Sequence, residues 1–225
     1  MQPVPHLLAR ATAKAIDLRM PEPAAVVYII DDDESTREAL RGLFRSVDLA
    51  ARAHATVDEF LAAPRPDTPA CLVLDVRLPG TSGLDLQARL AGLGIHLPVI
   101  LITGYGDIPM SVRGMKAGAV DFLVKPFRDQ DMLDAIATAL DRDRVRRAAE
   151  VADRELQERY ASLSPRERQV MGLVAVGKMN KQVAGDLGLS EVTVKIHRGS
   201  AMRKMRARTL ADLVRMAEAL GLSAG

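Results

Sequence analysis

Between Val26 and Val124, five short β-branched or apolar runs alternate with stretches of helical length, and this alternation restricts the fold more than any other feature of the chain. The runs are Val26–Ile30, a weaker one near Leu49–Ala53, Leu72–Leu74, Val99–Ile102 and Val120–Val124. Between them lie Ser35–Val47, Thr56–Ala63, roughly Ser82–Leu93 and Ile108–Ala117, and a last helix begins near Asp129. Such alternation gives an α/β, doubly wound, five-stranded parallel sheet with helices on both faces. Ser35-Thr36-Arg37-Glu38 and Thr56-Val57-Asp58-Glu59 have capping-box spacing, in which a hydroxyl and a carboxylate satisfy orphaned backbone amides, so two helices are expected to open there.

The flanks differ in kind. Residues 1–24 contain four prolines and only a weak helical period through Leu7, Leu8, Ala11, Ala15 and Leu18, and are read as an N-terminal extension. Met20 stands just before the first strand, so translation starting there is an alternative. From 141 to 162 charges dominate, with Asp143/Arg147, Glu150/Arg154 and Glu155/Arg159 at the i, i+4 spacing of a helical linker. A sparse apolar series, Val145, Ala148, Ala152, Leu156 and Tyr160, fits either a short coiled coil or a solvated helix. Ser164-Pro165-Arg166-Glu167 then opens a third unit as a capping box with proline at the first helical position. About Pro165–Val176, Lys181–Leu187, Glu191–Arg206 and Leu210–Leu220, broken at Gly177, Gly188 and Thr209, make a small all-α four-helix unit. The expected divisions are therefore 1–24, 25–140, 141–162 and 163–225.

Charge separates these parts. Residues 1–140 carry 18 acidic and 14 basic side chains, net −4, whereas residues 163–225 carry 5 and 11, net +6. The acidic part suits a cation and the basic part nucleic acid, although unevenly spread solubility charge gives the same totals. A single cysteine, Cys71, inside an apolar run excludes an intrachain disulfide and a cysteine-rich metal site. No apolar stretch approaches the roughly 20 residues needed to span a bilayer, and no export signal is visible, so a cytoplasmic protein without a membrane partner is expected.

Ligands of an open parallel sheet bind beyond the carboxyl ends of its strands. Here those ends carry Asp31, Asp32 and Asp33, then Asp75, then Thr103, then Lys125. Converging carboxylates repel one another, and a hard, oxygen-seeking cation such as Mg²⁺ relieves them while keeping sites for phosphate oxygens. A lysine and a threonine hydroxyl beside them have no task in a plain metal site. They suit a phosphoryl group, and the set is what phosphoryl transfer to an aspartate requires.

Tyr28-Ile29-Ile30-Asp31-Asp32-Asp33-Glu34, Leu74-Asp75-Val76-Arg77-Leu78-Pro79-Gly80, Ile102-Thr103-Gly104-Tyr105-Gly106-Asp107 and Asp121-Phe122-Leu123-Val124-Lys125-Pro126-Phe127 resemble the flavodoxin-like receiver domain of two-component response regulators. The resemblance covers residues 25–143. It implies phosphorylation of Asp75 by a sensor histidine kinase, Mg²⁺ held by Asp31, Asp32, Asp75 and the Arg77 carbonyl, and Asp33 as a bystander. It further implies Thr103 and Phe122 as switch residues, Lys125 as the phosphate's partner, and a cis Lys125–Pro126 peptide.

In the basic unit, Asn180 to Met205 reads helix, glycine turn, helix, with Ser190 as the second N-cap. Val194, Ala201, Met202 and Met205 can face a core, with His197 at its edge, while Val192, Lys195, Ile196, Gly199 and Arg203 share the opposite side. That side suits a major groove, though a merely solvated basic helix has the same spacing. Leu163-Ser164-Pro165-Arg166-Glu167, Asn180-Lys181-Gln182-Val183-Ala184 and Ser190-Glu191-Val192-Thr193-Val194-Lys195-Ile196-His197-Arg198 are similar to the LuxR-type helix-turn-helix, and residues 25–222 together resemble the FixJ subgroup of response regulators. This implies Lys195, Ile196 and Gly199 toward bases, and Lys181, Thr193, Arg198 and Lys204 toward phosphates. It also implies a homodimer when phosphorylated, a pseudo-palindromic double-stranded DNA site, and RNA polymerase as a further partner. Two other functions compete. An aspartyl-phosphate phosphatase would need an acid two residues after Asp75, where this chain has Arg77. A DNA-binding adaptor whose receiver only docks a partner would differ in not being phosphorylated.

Overall fold

The computed structural model describes residues 25–106 and 108–222. The extension 1–24, with its weak helical period and Met20, lies outside them, as does Asp107. The chain divides between Leu140 and Asp141 into two compact units.

In the first unit β1 (Val26–Ile30), α1 (Glu34–Ser46), β2 (Ala50–His54), α2 (Val57–Ala62), β3 (Ala70–Asp75), β4 (Arg77–Leu78), β5 (Thr81–Ser82), α3 (Gly83–Leu90), β6 (Val99–Thr103), α4 (Ile108–Lys116) and β7 (Asp121–Val124) follow one another, and α5 (Asp129–Ala161) starts here. The five-stranded sheet has the order β2-β1-β3-β6-β7, and all its pairings are parallel. β1, β3 and β6 are buried along their whole length, as expected of strands covered on both faces. Side chains alternate between the faces with period two. Tyr28, Ile30, Leu72, Leu74 and Leu101 pack with Phe60, Leu84, Leu86 and Leu90 of α2 and α3. Val27, Ile29, Val73, Ile100 and Ile102 pack with Leu40, Phe44, Met132, Ile136 and Ala139 of α1 and α5.

Local capping partly departs from the sequence reading. The capping box expected at Ser35 does not start α1: Asp33 is the N-cap, accepting from the Ser35 amide at 2.9 Å and from the Ser35 and Thr36 hydroxyls. An ionised carboxylate at the positive end of a helix is a stronger acceptor than the hydroxyl two residues on, so it takes the cap. Asp33, expected to be a bystander, thus has a structural task, and those hydroxyls hold its carboxyl below the usual range. Thr56 caps α2 as expected, accepting from Glu59 N, although the Glu59 carboxylate reaches back to the Ala55 amide rather than to Thr56. The two-residue antiparallel pair β4–β5 is too short to leave a periodic signal in the sequence.

α5 merges the expected last receiver helix with the expected linker into one helix of 33 residues. Glu155 pairs with Arg159 as the spacing predicts, but Glu150 pairs with Arg146, which also binds Asp143. Val145 and Val151 are exposed, whereas Leu156 and Tyr160 pack on the second unit's core. That core is formed with α6 (Pro165–Ala175), α7 (Asn180–Leu187), α8 (Glu191–Met205) and α9 (Leu210–Ala219). The full capping box at Ser164 is present, and Ser190 and Thr209 cap α8 and α9. Gly188, at φ 62°, ends α7 in the left-handed region that glycine enters without a Cβ penalty, which turns the chain into α8. Among the described residues no helix is long and apolar enough to cross a membrane.

Candidate functional site

The parallel register sets the first site. Ile30 pairs with Leu74 and Asp75 with Ile102, so Asp31 and Asp75 leave neighbouring strands at the same edge, and Thr103, opposite Val124, brings Lys125 beside them. Asp31 is fully buried, Asp75 is nearly so, and Asp32 is exposed, with one carboxylate oxygen from each lying within 4.8 Å of the others. Lys125 Nζ lies 2.6 Å from Asp31 Oδ2 and 2.6 Å from Asp75 Oδ2. The remaining oxygens are held locally: the Asp33 amide donates to Asp31 Oδ1 and the Arg77 amide to Asp75 Oδ1.

Burial pushes the Asp31 carboxyl up, and the neighbouring Asp75 charge adds to this, against the hydrogen bonds from Lys125 and the Asp33 amide. Burial alone would lower the Lys125 ammonium, but its bonds to Asp31 and Asp75 outweigh that and raise it. A raised, crowded carboxylate beside a bridging ammonium is a site short of positive charge, and three converging oxygens are a donor set fitting a hard divalent ion.

Thr103 is fully buried, and its hydroxyl accepts from the Tyr105 amide at 3.3 Å. Phe122 packs, half-buried, on the core beneath Gly114 of α4. The Lys125–Pro126 peptide is cis. The Arg77 guanidinium lies over the Tyr105 ring, 4.8 Å from its centroid.

The second site is the helix pair α7–α8. Val194, Ala201 and Met205 are buried against Val170, Met171, Val183 and Leu213, with Met202 partly buried beside them, which fixes the roll of α8. The opposite face presents Val192, Lys195, Ile196 and Arg203 to solvent, and Lys181 is exposed on α7. Two large aliphatic side chains, Val192 and Ile196, are left 67% and 64% exposed amid basic groups on this face, a combination that suits thymine methyls beside guanine or phosphate. Gly199 lies half-buried, and a Cβ there would meet only the Arg203 guanidinium at 3.9 Å.

The other expected DNA-facing residues already have partners within the unit. Thr193 closes the N-cap with Ser190, and Arg198 donates to Asn180 Oδ1 at 3.0 Å. Lys204 donates to Glu167 Oε2 at 2.7 Å and lies 3.3 Å from the Ser162 carbonyl. Glu167 was legible only as a cap. It is buried, and although burial opposes its ionisation, hydrogen bonds from Lys204, Ser200 and the Ser164 amide hold its carboxyl at about 2.

Residues 27–137 match the response regulator receiver domain family, and residues 161–217 match the bacterial regulatory proteins of the luxR family. Nodulation protein W of Bradyrhizobium diazoefficiens is 60% identical over 200 residues, covering 89% of this chain and 88% of the relative. The solved structure of response regulator StyR is 46% identical with a TM-score of 0.77, over 87% of this chain and 98% of its own. Full-length FixJ from B. japonicum is 36% identical with a TM-score of 0.53, over 89% of this chain and 98% of its own.

Proposed function

We propose, from the premise that this chain belongs to the response regulators that join a receiver domain to a LuxR-type helix-turn-helix, that phosphorylation of Asp75 in the presence of Mg²⁺ drives dimerisation and sequence-specific DNA binding. The chain is a transcription factor and not a catalytic enzyme; its receiver calls for a histidine kinase and its helix-turn-helix for DNA. In this reading the receiver spans 25–140, the linker 141–162 and the DNA-binding unit 163–225, and the protein acts in the cytosol.

The observation that carries the reading is the Lys125 ammonium shared between Asp31 and Asp75 at 2.6 Å to each, beside a third carboxylate. Asp31, Asp32, Asp75 and the Arg77 carbonyl would hold Mg²⁺, which supplies charge neutralisation at the phosphoryl oxygens. A carboxylate oxygen of Asp75 attacks phosphorus as the phosphorus–nitrogen bond of the donor imidazole breaks. Lys125, kept charged by its carboxylate partners, pairs a phosphoryl oxygen. Thr103 exchanges the Tyr105 amide for another phosphoryl oxygen, donating its hydroxyl proton, and Phe122 follows it inward.

Ile108, Val112 and Met115 of α4 and Val124 of β7 are exposed beside this switch, which supports a dimer through that face. Pairing two units of net charge +6 raises DNA affinity through effective concentration. The operator is then a pseudo-palindrome with half-sites about one helical turn apart, and RNA polymerase is a further partner there. Val192, Lys195, Ile196, Gly199 and Arg203 face the bases, while Lys181, Thr193 and Arg198 reach phosphates. Intact-mass analysis after incubation with Mg²⁺ and a small acyl phosphate tests the site: one acid-labile phosphoryl group is expected, absent in Asp75→Asn. Equal labelling of the variant refutes the assignment, and unchanged sedimentation and operator affinity on phosphorylation refute the coupling.

A further inference from the structure

α4 sits on the receiver with little side-chain burial. Ile108, Val112 and Met115 face solvent, and the one residue of the helix that is buried is Gly114. A Cβ at Gly114 would stand 2.4 Å from Leu101 Cδ1 and 3.5 Å from Phe122 Cδ2, so at Gly114 the backbone of the helix rests on the sheet and on Phe122, while Met110 packs, partly buried, on the same core. At the C-terminal end of α4, Gly114 O accepts from the Ala119 amide at 3.1 Å, and Ala117 O stands just past the last helical residue. Gln87 of α3, itself buried, reaches across to them: Nε2 donates to Gly114 O at 3.3 Å and to Ala117 O at 3.2 Å. The other end of this amide, Oε1, is buried with no hydrogen-bond partner among the described residues.

We infer that Gln87 is the positioning residue of α4, a latch that pins the C-terminal end of the helix in the unphosphorylated receiver. The hold is weak by construction, because both bonds are long and the amide oxygen finds no partner among the described residues. A weak pin suits an element that has to shift, since a firm one would demand a larger differential affinity from the switching ligand. Any inward movement of Phe122 removes part of the seat under Gly114, and the helix then moves relative to the end that Gln87 holds. This inference rests on the phosphorylation-driven dimerisation proposed above, because α4 carries the apolar residues of that face.

Gln87→Met keeps the length of the side chain without its donor, and Gln87→Glu replaces the amino group with an acceptor that repels the carbonyls. Hydrogen–deuterium exchange on the full chain, without phosphodonor, should show the amides of α4 and of Gly118–Val120 exchanging at least about tenfold faster in both variants, with β1 and β3 unchanged. Unphosphorylated Gln87→Met should also bind operator several-fold more tightly than wild type and gain less from a phosphodonor. Unchanged exchange in α4 overturns the latch. Faster exchange with unchanged operator affinity overturns its regulatory part. The exchange measurement needs neither phosphorylation nor DNA, so it is decided separately from the function proposed above, whose failure would appear as a wild-type chain that takes no phosphoryl group.

Discussion

The Lys204 ammonium and the Glu167 carboxylate, 37 residues apart in sequence, meet at 2.7 Å and tie the start of α6 to the end of α8. A lysine read from sequence as a DNA-backbone contact is thereby part of the framework that orients the recognition helix. Lys204→Ala is expected to destabilise the second unit by about 1–2 kcal/mol, a charge-assisted hydrogen bond discounted for the partial exposure of the lysine. The salt dependence of DNA binding should stay close to that of wild type. Urea denaturation beside a salt titration of operator affinity checks both, and a flattened salt slope at unchanged stability would return Lys204 to the phosphates.

The same pair sets an acid limit. Glu167 is depressed from its ordinary 4.5 to about 2. Its contribution is present above 4.5 and is lost as pH falls through about 2. Denaturation of the full chain across that window should show a loss that Glu167→Gln lacks, because the variant starts without the contribution.

At the carboxylate pocket, millimolar Mg²⁺ should raise the melting temperature of the first unit through binding to the native state. Asp32→Ala, an exposed position, should abolish that rise while changing the metal-free melting temperature little. Lys125→Met should lower the metal-free value and enlarge the Mg²⁺-induced rise, because two carboxylates lose their shared cation. Asp31 is already raised, so its neutral form favours folding below its ordinary 3.8, and that advantage is lost as pH rises through the folded value. In Lys125→Met the loss should be larger. Calorimetry with and without Mg²⁺ at two pH values decides it, and a smaller Mg²⁺ effect in this variant would contradict the proposed ligand set.

Glycines on helices should divide by sign. At Gly185 an added Cβ meets nothing within 4 Å, so Gly185→Ala should stabilise by about 0.5–1 kcal/mol. At Gly114 it would meet Leu101 at 2.4 Å, so Gly114→Ala should destabilise by about 1–3 kcal/mol. Thermal denaturation of the two variants side by side reads the contrast.

Lys195 is exposed and makes no hydrogen bond or ion pair among the described residues, so Lys195→Ala should leave stability unchanged. Specific affinity should fall by about 1–3 kcal/mol with relaxed preference at one base pair. A binding selection with randomised half-sites measures this, and an unchanged preferred sequence would remove Lys195 from the reading face.

Periodicity and chain order determined the parallel sheet, the four-helix unit and the convergence of Asp31, Asp32, Asp75, Thr103 and Lys125, because strand ends follow from the fold class and the side chains at those ends follow in the sequence. Strong caps such as Ser164 and Thr56 were legible for the same reason: donor and acceptor lie within three residues of each other. Where two local acceptors competed, at Asp33 and Ser35, spacing favoured the wrong one, since a pattern does not rank a carboxylate against a hydroxyl. Pairings between distant elements were decided by tertiary structure alone. Lys204 finds Glu167, and Gln87 finds the α4 carbonyls, because helix packing brings them within hydrogen-bonding distance, and no sequence interval encodes that distance.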